Sequence, residues 1–185
     1  LPRDGHPMDW LSIGIHTLGM LGGEGDWKSD ALNLVARMPR LLGLIFRYRE
    51  GRLVNIPADD LSMGLVARFT NTLDLADVDK SVMNQVIATY LVLHMDHGGG
   101  NLSTFAGKAV ASGHATVYSS MAGAMNALSG PLHGRANQSC FEFVQKIGTS
   151  DPAEVEAFVR GELEARRPVF GLSLIHISEP TRLDH

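Results

Sequence analysis

Apolar residues recur along this chain at spacings of three and four in most windows, and strict alternation is nearly absent, so the pattern predicts a mainly α-helical protein. A first helix is expected from a cap at Asp9 or Ser12 through Leu21, ended by the Gly22-Gly23-Glu24-Gly25 loop. A second runs from a cap at Ser29 toward Tyr48, kinked at Pro39, which has no N–H to give to the ladder, and stopped by Gly51. After a short extended piece, Leu53 to Ile56, the pair Asp59-Asp60 is expected to cap a helix from Leu61 to about Phe69. Asp77 then starts a strongly apolar helix from Val78 to about Met95, in which Val82, Val86, Tyr90 and Leu93 are spaced four, four and three. Such a stripe predicts burial.

Two later segments, Ser103 to Ala111 and Thr116 to Leu128, are rich in Ala, Gly and Ser. Small side chains let helix axes approach closely, so both are expected to pack on more than one side and to lie at a subunit interface. A further helix follows Gly134 and ends at Gly148 after Ile147. Asp151-Pro152 opens the last one, through Ala165, with Asp at the cap and Pro at the first helical position. The tail, residues 172 to 185, resembles a translated sequencing adapter and is set aside from the fold.

Composition narrows the function. The 185 residues hold sixteen Lys and Arg against twenty Asp and Glu, a net charge of −4, without the basic excess that a phosphate backbone requires; nucleic acid is not an expected partner. The single cysteine, Cys140, cannot form an internal disulfide, which points to a reducing compartment, the cytoplasm or, in a eukaryote, the mitochondrial matrix. The longest apolar stretches fall well short of the ~20 residues that span a bilayer. The chain opens Leu1-Pro2-Arg3-Asp4 with no initiator methionine, as expected of a piece of a longer protein.

Two constellations could carry chemistry. In His94-Met95-Asp96-His97-Gly98-Gly99-Gly100-Asn101, two imidazoles stand three residues apart where a helix breaks into glycines, which free backbone amides for an anionic group. Each histidine could equally be a hydrogen-bonded structural side chain. A metal site is disfavoured, because the spacing is not the i, i+4 of a zincin helix and no glutamate lies between the histidines. In the second, Gly130-Pro131-Leu132-His133-Gly134-Arg135, a stiff turn presents a histidine just before a helix N-terminus. The dipole there disfavours imidazolium, and a neutral imidazole can donate its N–H to a developing enolate oxygen.

At these residues the sequence closely resembles citrate synthase. The stretch from Leu91 to Gln138 carries the His-x-Asp-His-x-x-x-Asn turn, Ser103-Thr104-Phe105-Ala106, Ser119-Ser120 and Met125-Asn126-Ala127-Leu128-Ser129 leading into Gly-Pro-Leu-His-Gly. Upstream, His6-Pro7-Met8-Asp9, Ala36-Arg37-Met38-Pro39, Arg47-Tyr48-Arg49-Glu50-Gly51 and Pro57-Ala58-Asp59-Asp60-Leu61 follow in the family's order, so the resemblance covers residues 5 to 171. It implies an all-α multi-helical large domain, residues 1–135, the start of a smaller helical domain, 136–171, and a non-native tail, 172–185. It also implies a homodimer that condenses oxaloacetate with acetyl-CoA, a substrate and not a cofactor, to give citrate and CoA. In that pattern His133 matches the histidine that stabilises the acetyl-CoA enol, His97 one that holds oxaloacetate, Asn101 a substrate contact beside it, and His94 a supporting position of the same site.

The departures limit this. The family's Gly-Phe/Tyr-Gly-His segment would follow at Gly171, where this chain reads Gly171-Leu172-Ser173-Leu174, and His176 does not take its place. The family's catalytic aspartate and its oxaloacetate arginines lie further downstream still, so the 185 residues by themselves are expected to be inactive. Arg135 occupies a position that is often Gly or Leu in the family and tolerates it. Two other readings stay open: 2-methylcitrate synthase, using propionyl-CoA, and a non-catalytic helical interaction module.

Overall fold

The computed structural model describes residues 2–23, 25–95, 98–131 and 133–169, Ala136 in its backbone alone. Among the described residues there are eight α-helices and no strand, as the periodicity predicts. The chain divides into two compact units, Leu1–Ala127 and Leu128–His185, the second described through Val169. The expected tail, 172–185, lies outside the described residues.

In the first unit, α1 (Pro7–Gly22) begins earlier than a cap at Asp9 or Ser12 would place it. Pro7 takes the first helical turn, where its missing N–H costs nothing, and Nδ1 of His6 accepts the Met8 N–H at 3.2 Å. The cap of α2 (Trp27–Arg49) is Asp26, whose carboxylate accepts the Ser29 N–H at 3.0 Å; Ser29 donates to the cap instead of forming it. This helix continues through the buried Pro39 as one 23-residue element.

The segment between α2 and α3 (Leu65–Leu73) corrects two expectations. Leu53 to Ile56 is not extended: it turns, with Asn55 at φ 56°, because the buried Arg47 side chain gathers the carbonyls of Arg52 (2.8 Å) and Val54 (3.0 Å) around one guanidinium. Asp59 and Asp60 do not cap a helix at Leu61. Asp60 accepts both the N–H and the hydroxyl of Ser62, and Asp59 is engaged by both Nε (3.0 Å) and NH2 (2.7 Å) of the buried Arg68. With both carboxylates spent, the helix starts four residues later behind Gly64, with no side-chain cap.

α4 (Lys80–Leu93) is capped by Asp79, which accepts the N–H groups of Ser81 and Val82, and not by Asp77. The larger correction concerns its apolar stripe. Val82, Val86, Tyr90 and Leu93 are 56%, 62%, 51% and 74% exposed, and no residue of α4 is buried. The helix turns a different face to α3, that of Met83, Asn84, Ile87 and Ala88, and Asn84 Oδ1 accepts the hydroxyl of the buried Thr70 at 2.6 Å. Being apolar on more than one side, α4 covers one face against α3 and leaves the other without a partner among the described residues.

The small residues of α5 (Leu102–Ser112) and α6 (Val117–Leu128) serve the close approach expected of them, and they do so within one chain. A Cβ on Gly107 would stand 3.2 Å from that of Ala124, and one on Gly123 would stand 3.0 Å from Val110. The other side of α6 enters the core, where Tyr118 and Ala122 join Leu11, Ile15, Leu34 and Ile45. Tyr118 packs so tightly on α1 that a Cβ at Gly19 would lie 2.8 Å from it.

The second unit is simpler. α7 (Ala136–Ile147) ends where predicted, at Gly148 in the left-handed region, φ 66°, a conformation that a side chain disfavours. α8 (Pro152–Glu164) opens as predicted, Asp151 accepting from the Ala153 and Glu154 amides. The two helices meet through Phe143 and Phe158, edge to face at 5.6 Å.

Candidate active site

The first constellation is the connection between α4 and α5 in the first unit. His94 is the C-cap residue of α4, and its exposed imidazole lies 4.0 Å from the Tyr90 ring, nearly parallel to it, with Nδ1 2.7 Å from the Tyr90 carbonyl oxygen. Asp96 and His97 lie outside the described residues. Gly98, Gly99 and Gly100 are exposed, and Asn101 follows as the N-cap residue of α5, half-buried. Its side chain donates to the Gly98 carbonyl at 3.1 Å, across the glycine run, in place of capping the helix. The Asn101 side chain thus closes the turn on the Gly98 carbonyl.

One residue here escapes the sequence reading. The Lys108 ammonium, nearly two turns along α5, folds back over the glycines so closely that a Cβ on Gly99 would stand 3.3 Å from Nζ. The seven-residue spacing from Asn101, which puts both on one side of a helix, is the signal that could have found it. An ammonium over the glycine turn suits an anionic ligand.

The second constellation, residues 130–135, belongs to the second unit. Its backbone is tied to the end of α6: the Gly134 N–H donates to the Leu128 carbonyl at 2.9 Å and the His133 N–H to Gly130 at 3.0 Å. A Cβ on Gly134 would lie 2.8 Å from Leu128 Cγ, so the motif's second glycine is required by close approach. His133 is half-buried and stands three residues before the first residue of α7, as the sequence predicts for an imidazole near a helix N-terminus. Leu132 lies outside the described residues. Arg135 forms the N-cap of α7, half-buried, its Nε buried without a hydrogen-bond partner among the described residues. His94 and Asn101 therefore share one turn of the first unit, and His133 stands on a turn of the second. Among the described residues no group of three or more His, Cys, Asp or Glu gathers as a metal site would require, and no helix is long and apolar enough to cross a membrane.

The described residues thus form a helical fold with a glycine-broken histidine turn and a Gly-Pro-Leu-His-Gly turn before a helix, and comparison with known proteins gives the family. The family described as "Citrate synthase, C-terminal domain" matches residues 1–174. Citrate synthase 5, mitochondrial, of Arabidopsis thaliana is 35% identical over 80% of this chain and 34% of its own length. The mitochondrial 2-methylcitrate synthase of Yarrowia lipolytica is 32% identical over 95% of this chain and 42% of its own. The crystal structure of citrate synthase from Thermotoga maritima superimposes with a TM-score of 0.75 at 26% identity, over 92% of this chain and 44% of that one. The chain belongs to the citrate synthase family. It spans roughly a third to a half of the length of the curated relatives it matches.

Proposed function

We propose that the protein containing these residues condenses acetyl-CoA with oxaloacetate to give citrate and CoA. The observation that carries this reading is the His133 turn. A half-buried imidazole is held by backbone bonds just before a helix N-terminus, inside a family match that runs across it. In the reaction a base removes a proton from the acetyl methyl group, and a donor must meet the negative charge that develops on the thioester oxygen. His133 supplies that N–H. The enol carbon then attacks the ketone of oxaloacetate, and hydrolysis of the citryl thioester releases CoA. His97 and Asn101 hold oxaloacetate, with His94 in the same substrate turn. The base, the second carbonyl donor and the carboxylate-binding arginines are supplied by the part of the family's length that these residues do not span.

A relative named 2-methylcitrate synthase, as similar as those named citrate synthase, favours a second acyl substrate, propionyl-CoA. One methylene in an acyl pocket discriminates by only ~1–3 kcal/mol, so turnover of both thioesters by one preparation decides between them. The working protein is a homodimer in the cytoplasm or, in a eukaryote, the mitochondrial matrix.

The test is kinetic. The 185 residues alone show no thiol release that depends on oxaloacetate, because groups that act as a unit lose nearly everything when part of the set is missing. In a chain completed to the length of its relatives the activity appears, and His133→Ala lowers kcat by ~10² to 10⁴. A loss below threefold with the fold intact would assign His133 to structure.

A further inference from the structure

The geometry points to His94 as a positioning residue that works through one ring nitrogen, Nδ1, by holding the last turn of α4 so that the substrate turn leaves it in a fixed direction. This rests on the reading of residues 94–101 as the oxaloacetate-binding turn. The argument begins with a carbonyl. In a continuing helix the Tyr90 C=O would receive the N–H of residue 94, but the His94 N–H turns instead to the Leu91 carbonyl at 3.1 Å, tightening the end of α4. The Tyr90 oxygen is left in need of a donor, and the His94 ring supplies it, Nδ1 to oxygen at 2.7 Å. A carbonyl only accepts, so the proton of a neutral His94 is on Nδ1.

The ring is held a second way. It lies on the Tyr90 side chain at a centroid distance of 4.0 Å and an interplanar angle of 23°. One residue thus supplies both the acceptor that fixes the tautomer and the surface that fixes the plane. Since His94 is the residue from which the turn to Asn101 departs, fixing its ring and backbone together fixes the start of that turn. A substrate contact would instead work through Nε2, the nitrogen this bond leaves free.

The two roles are separable atom by atom. Asn reproduces the Nδ1 donor and lacks an Nε2 equivalent, whereas Gln places its amide where Nε2 would be. On the 185-residue chain, nitrogen chemical shifts of the His94 imidazole and amide shifts of Gly98 to Asn101 are read by NMR for the unmodified protein, His94→Asn, His94→Gln and His94→Ala. Oxaloacetate is then titrated into the same four proteins completed to the length of their relatives, which supply the carboxylate-binding arginines. A neutral ring protonated at Nδ1, with turn amides kept by Asn and displaced by Gln and Ala, is the expected result. Oxaloacetate binding should be kept within twofold by Asn and weakened at least fivefold by Gln and Ala. A ring protonated at Nε2, or binding retained by Gln and lost by Asn, overturns the proposal. Should the 185-residue chain show the Nδ1 tautomer and the Asn-specific turn shifts while the completed unmodified protein does not bind oxaloacetate, the substrate reading fails and the tautomer-based hold on the turn stands. Unchanged far-UV circular dichroism and unfolding midpoints of the three variants exclude a general loss of fold as the cause.

Discussion

At the scale of the residue, the described part of the first unit is held by arginines as much as by its apolar core. Arg47 and Arg68 reach from α2 and α3 to carbonyls and a carboxylate of the irregular segment between them, and Arg52, within that segment, reaches the carbonyls of Leu73 and Asp74 at the end of α3. The Arg68–Asp59 fork is the most consequential of these contacts, since Arg68 is buried and its NH1 also donates to the Ala36 carbonyl at 2.9 Å. Hydrogen bonds from Arg68 hold the Asp59 carboxyl below the usual aspartate range. A carboxylate with a lowered folded-state pKa stabilises the fold fully above its unfolded value, about 4, and that contribution is lost as pH falls through the lowered one. Asp59→Asn should therefore cost about 1.5–3 kcal/mol at neutral pH, the worth of a hydrogen bond to a charged group, and its deficit should shrink in acid. Urea unfolding of both proteins at pH 7 and pH 3 measures this, and an equal deficit at both pH values would contradict it.

At the scale of the element, two helices show how composition and packing diverge. α2 and α3 approach through Gly43, where a Cβ would stand 2.6 Å from Cγ2 of the buried Thr72. Thr72 also accepts from Arg40, so it has little freedom to move aside. Gly43→Ala, which normally favours a helix, is expected here to destabilise by ~1–3 kcal/mol through overpacking. The shift of the denaturation midpoint tests it, and a gain in stability would show that the helices can separate. α4 presents the opposite case, an apolar stripe without a partner among the described residues. Exposed faces of this size mark surfaces that associate, so the 185-residue chain should bind a hydrophobic dye and self-associate at high concentration. Replacing Val86 and Leu93 by Lys should reduce both, as followed by dye fluorescence and light scattering, without lowering the unfolding midpoint by more than ~0.5 kcal/mol, the range for exposed positions.

At the scale of the whole molecule, the small-residue helices bear on assembly. Ala124 is buried against Gly107 of the same chain, so a charge there would disturb the fold whatever the oligomeric state. The surface to examine in the proposed dimer is the outer one, where Leu102, Phe105 and Met121 are exposed. In a completed chain Met121→Glu should convert a dimer mass to a monomer mass by light scattering, because an unpaired charge in an interface is strongly unfavourable; an unchanged dimer would place the interface elsewhere. The helical class, the family, the Gly148 stop, the Asp151-Pro152 start and the Gly-Pro-Leu-His-Gly turn were all legible in the sequence, because each rests on local chemistry or on a run of residues in order. Four caps were misplaced where two or more polar residues compete within a few positions, and side-chain partners decided between them: Asp26 over Ser29, Asp79 over Asp77, His6 with Pro7 over Asp9 or Ser12, and Arg68 drawing Asp59 away from capping. The Val82, Val86, Tyr90 and Leu93 stripe shows the deeper limit. Periodicity tells which residues share a face, but whether that face is buried depends on what stands opposite it, and only the tertiary structure shows α4 turning Met83, Asn84, Ile87 and Ala88 to its neighbour. The same holds for Lys108 over Gly99 and for His94 on Tyr90: the sequence supplied the residues, and only the fold decided which atoms meet.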